Sequence, residues 1–392
     1  MTTKISKLLP YFKNGGNVIC TIKDQTFMKA VRGICFHSEE KFDKFWVKQS
    51  SSWISPKAGI TKDLLKSQFS QFCHVNEDKP KLTKGVIWGQ KINELTIQQS
   101  RLLLDFQEPT KEPSETYLPI HSNTNDCQFN FQDYETHLKT KTLGRTVIHT
   151  EVINTTFDIL EGPFVHDGLV VIADQQVKGR GRGQNSWLSP KGCAMTSFQL
   201  KFNLSSNQGQ KASLLQHLVS LSVVTSINSI PLSLKWPNDI YYSKIKMGGV
   251  VVLSSVIGNV MIFNIGLGFN LDNAKPTLSL NNLLINDGHA PLKREVFFAN
   301  VFNTLEKYLT FLDTEEGLKH VLELYHQYWL HQDQVVSVIG EDEEKVEGIV
   351  KSIDEFGYIV VELENGAKVS VQPGTNSFDM MQGLILPKNM KK

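Results

Sequence analysis

The sequence predicts an α+β protein of two or three domains. A central region mixes strands and helices, a small SH3-like β-barrel follows it, and the fold of the amino-terminal region is left unknown. Three observations carry this. At 392 residues the chain exceeds what one ordinary core holds. From Leu143 onward, β-branched runs and leucine stripes of helical spacing succeed one another. The segment 332–392 breaks into short β-rich runs separated by turn residues.

Residues 1–107 hold apolar patches such as Val18–Ile22 and Gly85–Trp88 and an aromatic group of Phe42, Phe45 and Trp46. Residues 1–110 carry 17 basic and 10 acidic side chains, +7, within a chain of net charge +1. A basic module suits nucleic acid or an acidic protein partner, and a solvated lysine-rich surface is the plainer reading. No helix-turn-helix pattern stands out, so DNA binding is not expected. Pro109, Pro113 and Pro119 sit among Ser, Thr, Asn and Glu, so residues 108–127 read as a linker.

The central region is taken as residues 128–331. Thr146–Ile153 and Gly168–Ala173 read as strands. Leu214, Leu218 and Leu221 recur at helical spacing, and Phe298, Phe302, Leu305, Leu309 and Leu312 mark a longer helix. A further helix is expected from Thr314 to Leu330, with Leu318, Leu322, Tyr325 and Trp329 on one side. The uncharged run Met247–Leu271 is long enough to span a bilayer. Ser254, Ser255, Asn259 and Asn264 interrupt it, however, and it reads as two strands joined at Gly258-Asn259. The final domain, residues 332–392, shows runs at Val335–Ile339, Val346–Ile353, Tyr358–Leu363 and Lys368–Val371, with Asn365-Gly366 as a hairpin signal.

Composition excludes several classes. Hydrophobic content of 40% and charged content of 21% are globular, not disordered. Five scattered cysteines without CxxC spacing argue against a disulfide scaffold or zinc finger and fit a reducing compartment. No secretory signal is evident. Lys4, Lys7, Lys13 and Lys23 with no acid before Asp24 faintly resemble a transit peptide. The expected location is therefore cytoplasmic, with a mitochondrial one left open.

Chemistry concentrates in a few segments. Gly179-Arg180-Gly181-Arg182-Gly183-Gln184-Asn185-Ser186-Trp187 follows an apolar strand. Alternating glycines allow close backbone approach, and two guanidinium groups offer bidentate donors to carboxylate or phosphate. It is neither a P-loop nor a dinucleotide fingerprint. The alternatives are a basic turn or a short RNA contact. Lys235-Trp236-Pro237-Asn238-Asp239 presents polar groups at a strand end, where an ordinary Asx turn is the plain alternative. Lys244-Ile245-Lys246-Met247-Gly248-Gly249 sets a lysine ahead of a glycine pair at a strand start, placed to reach a phosphate or carboxylate, with a solvated hairpin lysine as the equal alternative. Gly266-Leu267-Gly268-Phe269-Asn270 again permits a close backbone approach. Among other groups, His320, His326 and His331 lack metal-ligand spacing and are expected along an exposed helix face. Cys193 is expected to be a small packed residue.

Together, GRGRGQNSWLSPKG, LKWPND, KMGGVVV and GLGFN resemble the biotin–protein ligase family, of the holocarboxylase synthetase type. The resemblance runs from about Phe129 to the carboxyl end, including Asn376-Ser377-Phe378-Asp379-Met380. It implies a class II synthetase-like catalytic domain, a mixed sheet flanked by helices, followed by the small β domain. It implies ATP with Mg2+ and biotin as substrate, biotinyl-5′-AMP formation, and transfer to a lysine of biotin carboxyl carrier domains of carboxylases. By residue, Thr155, Thr156 and Gln176 would meet biotin. Gly179, Arg180, Gly181 and Arg182 would fold over the intermediate. Lys246 would contact the carboxylate–phosphate junction, with Gly249 beside it. Trp187, Lys235, Asn238, Asp239, Gly268 and Asn270 would form the nucleotide side. Arg180, Lys235, Asp239 and Lys246 are the catalytic candidates. No directly ligated metal is assigned, and Mg2+ would enter with ATP near Asp239. Phe157 departs from the family's usual residue, which puts one biotin hydrogen bond in doubt. Residues 1–107 would help select acceptors. Alternative readings are a lipoate or octanoate–protein ligase, or a non-catalytic protein whose Gly/Arg loop contacts RNA. Neither a nucleic acid nor a membrane partner is expected.

Overall fold

The computed structural model describes residues 80–89, 102–106, 110–125, 127–162, 166–182, 185–273, 277–339 and 345–372, and strand residues 47–49, 52–54, 97–98, 376–379 and 384–387. The chain divides into two compact units, Met1–Pro80 and Lys81–Lys392. In the first, β1 (Val47–Gln49) and β2 (Ser52–Ile54) pair antiparallel. The patch Val18–Ile22, the group Phe42, Phe45 and Trp46, and the lysines of the expected transit segment lie outside the described residues.

The second unit is organised by one eleven-stranded sheet. Its strands are β3 (Gly85–Gly89), β4 (Ile97–Gln98), β5 (Leu103–Asp105), β6 (Tyr117–His121), β7 (Thr146–Ile153), β8 (Leu169–Gln176), β9 (Ala194–Asn203), β10 (Leu232–Lys235), β11 (Asp239–Tyr242), β12 (Ile245–Ile257) and β13 (Val260–Phe269). They run in the order β10-β11-β12-β13-β9-β8-β7-β3-β6-β5-β4. β7 and β8 are parallel, and β8 through β10 continue antiparallel. The uncharged run 247–271 is the long β12–β13 hairpin turning at Gly258 and Asn259, as its residues predict.

The domain boundary needs correction. β3 pairs antiparallel with β7, and β6 adds parallel to β3, so residues expected to be an N-terminal region and a linker extend the central sheet. Proline suggested a linker, but Pro119 occupies a strand whose neighbours Leu118 and Ile120 are buried, and the Tyr117 hydroxyl donates to Asp105 Oδ2 at 2.7 Å. Two buried side chains at period two outweigh the missing donor of one proline.

Helices cover the face that carries Val170, Ile172 and Phe198. Arg294–Phe311 buries Phe297, Phe298, Phe302 and Leu305, with Phe302 edge-on to Phe198, and Leu215–Ser226 packs alongside. The helix expected over 314–330 spans Glu315–Tyr328, where Thr314 caps the Gly317 N–H at 3.1 Å. The opposite face holds a smaller cluster that includes Leu118, Ile120, Val171 and the short helix Phe157–Leu160. Among the described residues, no helix is long and apolar enough to cross a membrane.

The carboxyl-terminal domain is a six-stranded sheet of order β17-β16-β15-β14-β19-β18. Its strands are β14 (Val335–Ile339), β15 (Lys345–Ile353), β16 (Ile359–Leu363), β17 (Lys368–Val371), β18 (Asn376–Asp379) and β19 (Leu384–Pro387). Pairing is antiparallel except between β14 and β19, and Gly366 turns the β16–β17 hairpin at φ +80°. This domain is docked on the central region. The Trp236 indole N–H donates to the Gly357 carbonyl at 2.9 Å, and Lys211 pairs with Glu355. Gly357 lies so close to the buried His217 ring that an added Cβ would come within 2.6 Å of it, and its φ is +76°.

The histidine expectation also fails for two of the three. His320 is exposed, but His326 Nε2 accepts from the Ile353 N–H at 3.1 Å, and His331 is fully buried, accepting from the Trp236 N–H at 3.0 Å. Helical spacing could not anticipate these partners, Ile353 of the β domain and Trp236 of the central region, which lie far away in sequence. Cys193 is fully buried, as expected, and burial pushes its thiol up to about 12.

Candidate active site

Sheet register assembles the centre of the site. Antiparallel pairing sets Lys235 opposite Asp239, Asp239 opposite Gly249, and Gly249 opposite Gly268, one row across four strands. Directly opposed residues share a face, so two charged side chains stand beside two positions that carry none. The strip left by the glycines is used. The Trp187 indole lies over Gly268, where an added Cβ would meet its Nε1 at 2.8 Å. Lys246, the second residue of β12, pairs with Asp239 Oδ1 at 2.7 Å and stands over the Trp187 ring at 5.6 Å.

The segment between Lys235 and Asp239 is a tight hairpin connection with Pro237 in cis. Asn238 is buried and clamps it to β12: its Nδ2 donates to the Val250 carbonyl at 2.7 Å, and its own carbonyl accepts from Val250 N–H at 2.9 Å. Asn270 closes the row from beyond β13, donating to the Lys246 carbonyl at 3.4 Å and, through its backbone N–H, to Met247 at 2.7 Å. Lys235 turns its ammonium over Tyr241 at 5.7 Å, beside this group and not within it.

A second cluster forms where β7 and β8 end. Gln176 Oε1 accepts from the Thr156 N–H at 2.8 Å and from its hydroxyl at 3.2 Å, while Gln176 Nε2 donates to Ser189 Oγ at 3.2 Å. Thr156 Oγ1 also lies 2.6 Å from Ser197 Oγ, and the Thr155 hydroxyl accepts from the Phe157 N–H at 3.4 Å. Thr155, Thr156 and Gln176 are all buried. The Phe157 ring fills the space above Gly266, where a Cβ would fall within 2.5 Å of it. The wall at this point is therefore apolar.

Between the clusters runs the glycine–arginine loop. Trp187 N–H returns to the Gly179 carbonyl at 2.9 Å, and Gly181 N–H to the Asn185 carbonyl at 2.8 Å, so the segment folds back as a narrow ribbon. Gly183 and Gln184 lie outside the described residues. A cleft of about 420 Å3 opens here, lined among others by Phe157, Arg180, Gly181, Arg182, Asn185 and Gln216. Burial pulls the Arg182 guanidinium below the usual arginine range, and the nearby Asp239 charge opposes that shift. Arg180 Nη2 pairs with Asp158 at 2.8 Å, and its Nη1 pairs with Glu161.

Thus Lys246, Asp239, Asn238, Gly249, Gly268, Asn270 and Trp187 converge, and Thr155, Thr156 and Gln176 form their own cluster. Asp158, Glu161, Ser189, Ser197 and Gln216 were not singled out by sequence. Asp158 and Glu161 left a faint signal, two acids just after the Thr-Thr pair. The serines left none. Chemically, a cleft of ligand size offers Arg180 and Arg182 beside an apolar wall of Phe157 and residues 250–253, which suits a small molecule with an anionic group. The Lys246–Asp239 pair and the Thr155, Thr156 and Gln176 cluster lie outside this lining.

Comparison with known proteins decides the family. The model of the Biotin/lipoate A/B protein ligase family matches residues 149–270, and that of the Biotin protein ligase C terminal domain matches residues 333–381. Biotin--protein ligase 2 of Arabidopsis thaliana is 32% identical over 280 residues, 67% of this chain and 83% of the relative. The chain belongs to the biotin–protein ligase family. Within it, Biotin--protein ligase 1, chloroplastic, of the same plant is 34% identical over 281 residues, 67% and 75% of the two chains. Human Biotin--protein ligase is 40% identical over 277 residues, 66% of this chain but only 38% of that relative. A biotin protein ligase from Aquifex aeolicus, solved in complex with biotin and ATP, aligns with 60% of this chain and 97% of its own at 24% identity and a TM-score of 0.48. As a ligase of this family, the chain carries the catalytic and C-terminal modules in the order its motifs predict.

Proposed function

We propose that the chain is an ATP-dependent biotin–protein ligase that makes biotinyl-5′-AMP and transfers biotin to a lysine of biotin carboxyl carrier domains. The observation that carries this is the Asp239–Lys246 pair standing on the glycine row beside Trp187, with Arg180 and Arg182 lining the adjoining cleft. In the first step an oxygen of biotin's carboxylate forms a bond to the α-phosphorus while the bond to pyrophosphate breaks. The carboxylate is already ionised, so no base is needed. Lys246 and Arg182 supply positive charge where negative charge accumulates, and Asp239 fixes the ammonium in place, an electrostatic preorganisation. In the second step the acceptor amine forms a bond to the acyl carbon, AMP leaves, and the amine loses a proton.

Thr155, Thr156 and Gln176 hold the ureido end, with Phe157 as an apolar wall. Among the described residues, no cluster of three or more metal-ligating side chains exists. The Asp239 carboxylate fits a Mg2+ that arrives on phosphates and keeps mostly water and phosphate ligands. Bound so, Mg2+ would neutralise phosphate charge. The amino-terminal region, +7 over residues 1–110, would favour acidic acceptors, and the protein would act in the cytoplasm.

The test is biotin-dependent exchange of labelled pyrophosphate into ATP with magnesium. Exchange with biotin and none with lipoate supports the reading. Exchange with lipoate instead assigns the other acid, and none with either, in folded protein, refutes adenylation.

A further inference from the structure

Arg180, which lines the cleft, is already engaged. Nη2 donates to Asp158 Oδ1 at 2.8 Å, and Nη1 to Glu161 Oε1. Both acids belong to the turn of chain that follows Thr155 and Thr156: Asp158 lies in the short helix Phe157–Leu160, and Glu161 is its C-cap. The pairs are half-buried, with side-chain exposures of 35% for Arg180, 14% for Asp158 and 24% for Glu161. These are charge-assisted bonds shielded from full solvent screening. Arg180 also lines the cleft, beside Phe157, Gly181 and Arg182. A carboxylate or phosphate entering there meets a donor whose strongest directions are taken.

We infer that Asp158 and Glu161 are positioning residues that compete with the anionic ligand for Arg180. The two acids then set how tightly the loop grips the acyl-adenylate. This rests on the adenylate-forming reading above. The competition is one of simple exchange: the guanidinium swaps two internal carboxylates for the ligand's anionic oxygens, and no covalent bond changes. This competition limits the grip on the intermediate, because the acids reclaim Arg180 whenever the adenylate loosens.

Asp158→Asn/Glu161→Gln removes both competing charges at nearly unchanged volume. Two readouts follow. In the empty protein, limited trypsin digestion mapped by mass spectrometry should cleave after Arg180 about tenfold faster in the double variant. Release of biotinyl-5′-AMP from preloaded protein, followed in a rapid-dilution assay, should slow by about tenfold, the worth of one charge-assisted hydrogen bond. Asp158→Glu/Glu161→Asp keeps both charges and should restore both behaviours towards the starting protein, which a merely structural role would not do. Unchanged cleavage after Arg180, or faster release of the adenylate, overturns the inference. The proteolysis needs no ligand, so it judges the hold of the two acids on Arg180 separately. Pyrophosphate exchange by the unaltered chain judges the underlying reading.

Discussion

Lys246→Met separates catalysis from folding most cleanly. It keeps the apolar stem over the Trp187 ring and removes only the ammonium, 2.7 Å from Asp239 and 5.6 Å from the indole. The Lys246 side chain is 39% exposed and Asp239 20%, so screening holds the pair's stabilising effect to about 1 kcal/mol or less. A domain with roughly 5–15 kcal/mol of stability stays folded after such a loss. The expected effect on adenylation is far larger. One preorganised donor aimed at developing charge contributes about 3–4 kcal/mol, so pyrophosphate exchange should fall by about 10²- to 10³-fold. Arg182 remains to hold ground-state anions, so kcat should fall more than KM for ATP rises. The assay pairs exchange kinetics with a thermal melt. Exchange within threefold of the starting protein would refute the role given to Lys246. A collapse of the melt would refute the claim that the pair is energetically minor.

Three further outcomes follow from the geometry. Gly268→Ala puts a Cβ 2.8 Å from Trp187 Nε1, so the indole must leave the strip; Trp187 fluorescence should shift and ATP affinity fall about tenfold or more, and an unchanged emission spectrum would contradict the placement. Trp236→Phe leaves the Gly357 carbonyl without its buried donor and should cost about 1–3 kcal/mol by denaturant titration, loosening the docked β domain. Burial lowers His331 to about 4 and His217 to about 3, so the unfolded chain binds more protons than the folded one below pH 6.5. Stability should therefore be full above pH 6.5 and decline as pH falls towards 4, by about 3 kcal/mol for His331 alone; a melting temperature flat from pH 7 to 4.5 would exclude this.

Much of the fold was legible because periodicity reports burial. Thr146–Ile153 forms the strand its β-branched residues predict, and the Met247–Leu271 run forms the hairpin its interrupting polar residues predict. The Asn365-Gly366 turn and the helix capped by Thr314 were readable for the same local reasons. The linker was misread because proline content is a local signal, while the pairing of β6 with β3 is a decision of the whole sheet. His331 was misread because the helix ends at Tyr328 and the chain beyond it sets His331 against the Trp236 backbone, a long-range contact that helical spacing does not report.

By residue type the sequence alone pointed to an anion-binding site, through the glycine–arginine loop, the Lys235–Asp239 segment and Lys246; the resemblance of its motifs to biotin–protein ligases added the ligase reading and the Thr155-Thr156 pair. What they do to one another was decided only by tertiary structure. Register places Asp239, Gly249 and Gly268 in one row. Packing drapes Trp187 over that row, and the chain's return through Asp158 and Glu161 occupies Arg180. The physical reason is range. Backbone preference and hydrophobic period act over a few residues, whereas the energy of a charge depends on partners that only the folded sheet brings within a few ångströms.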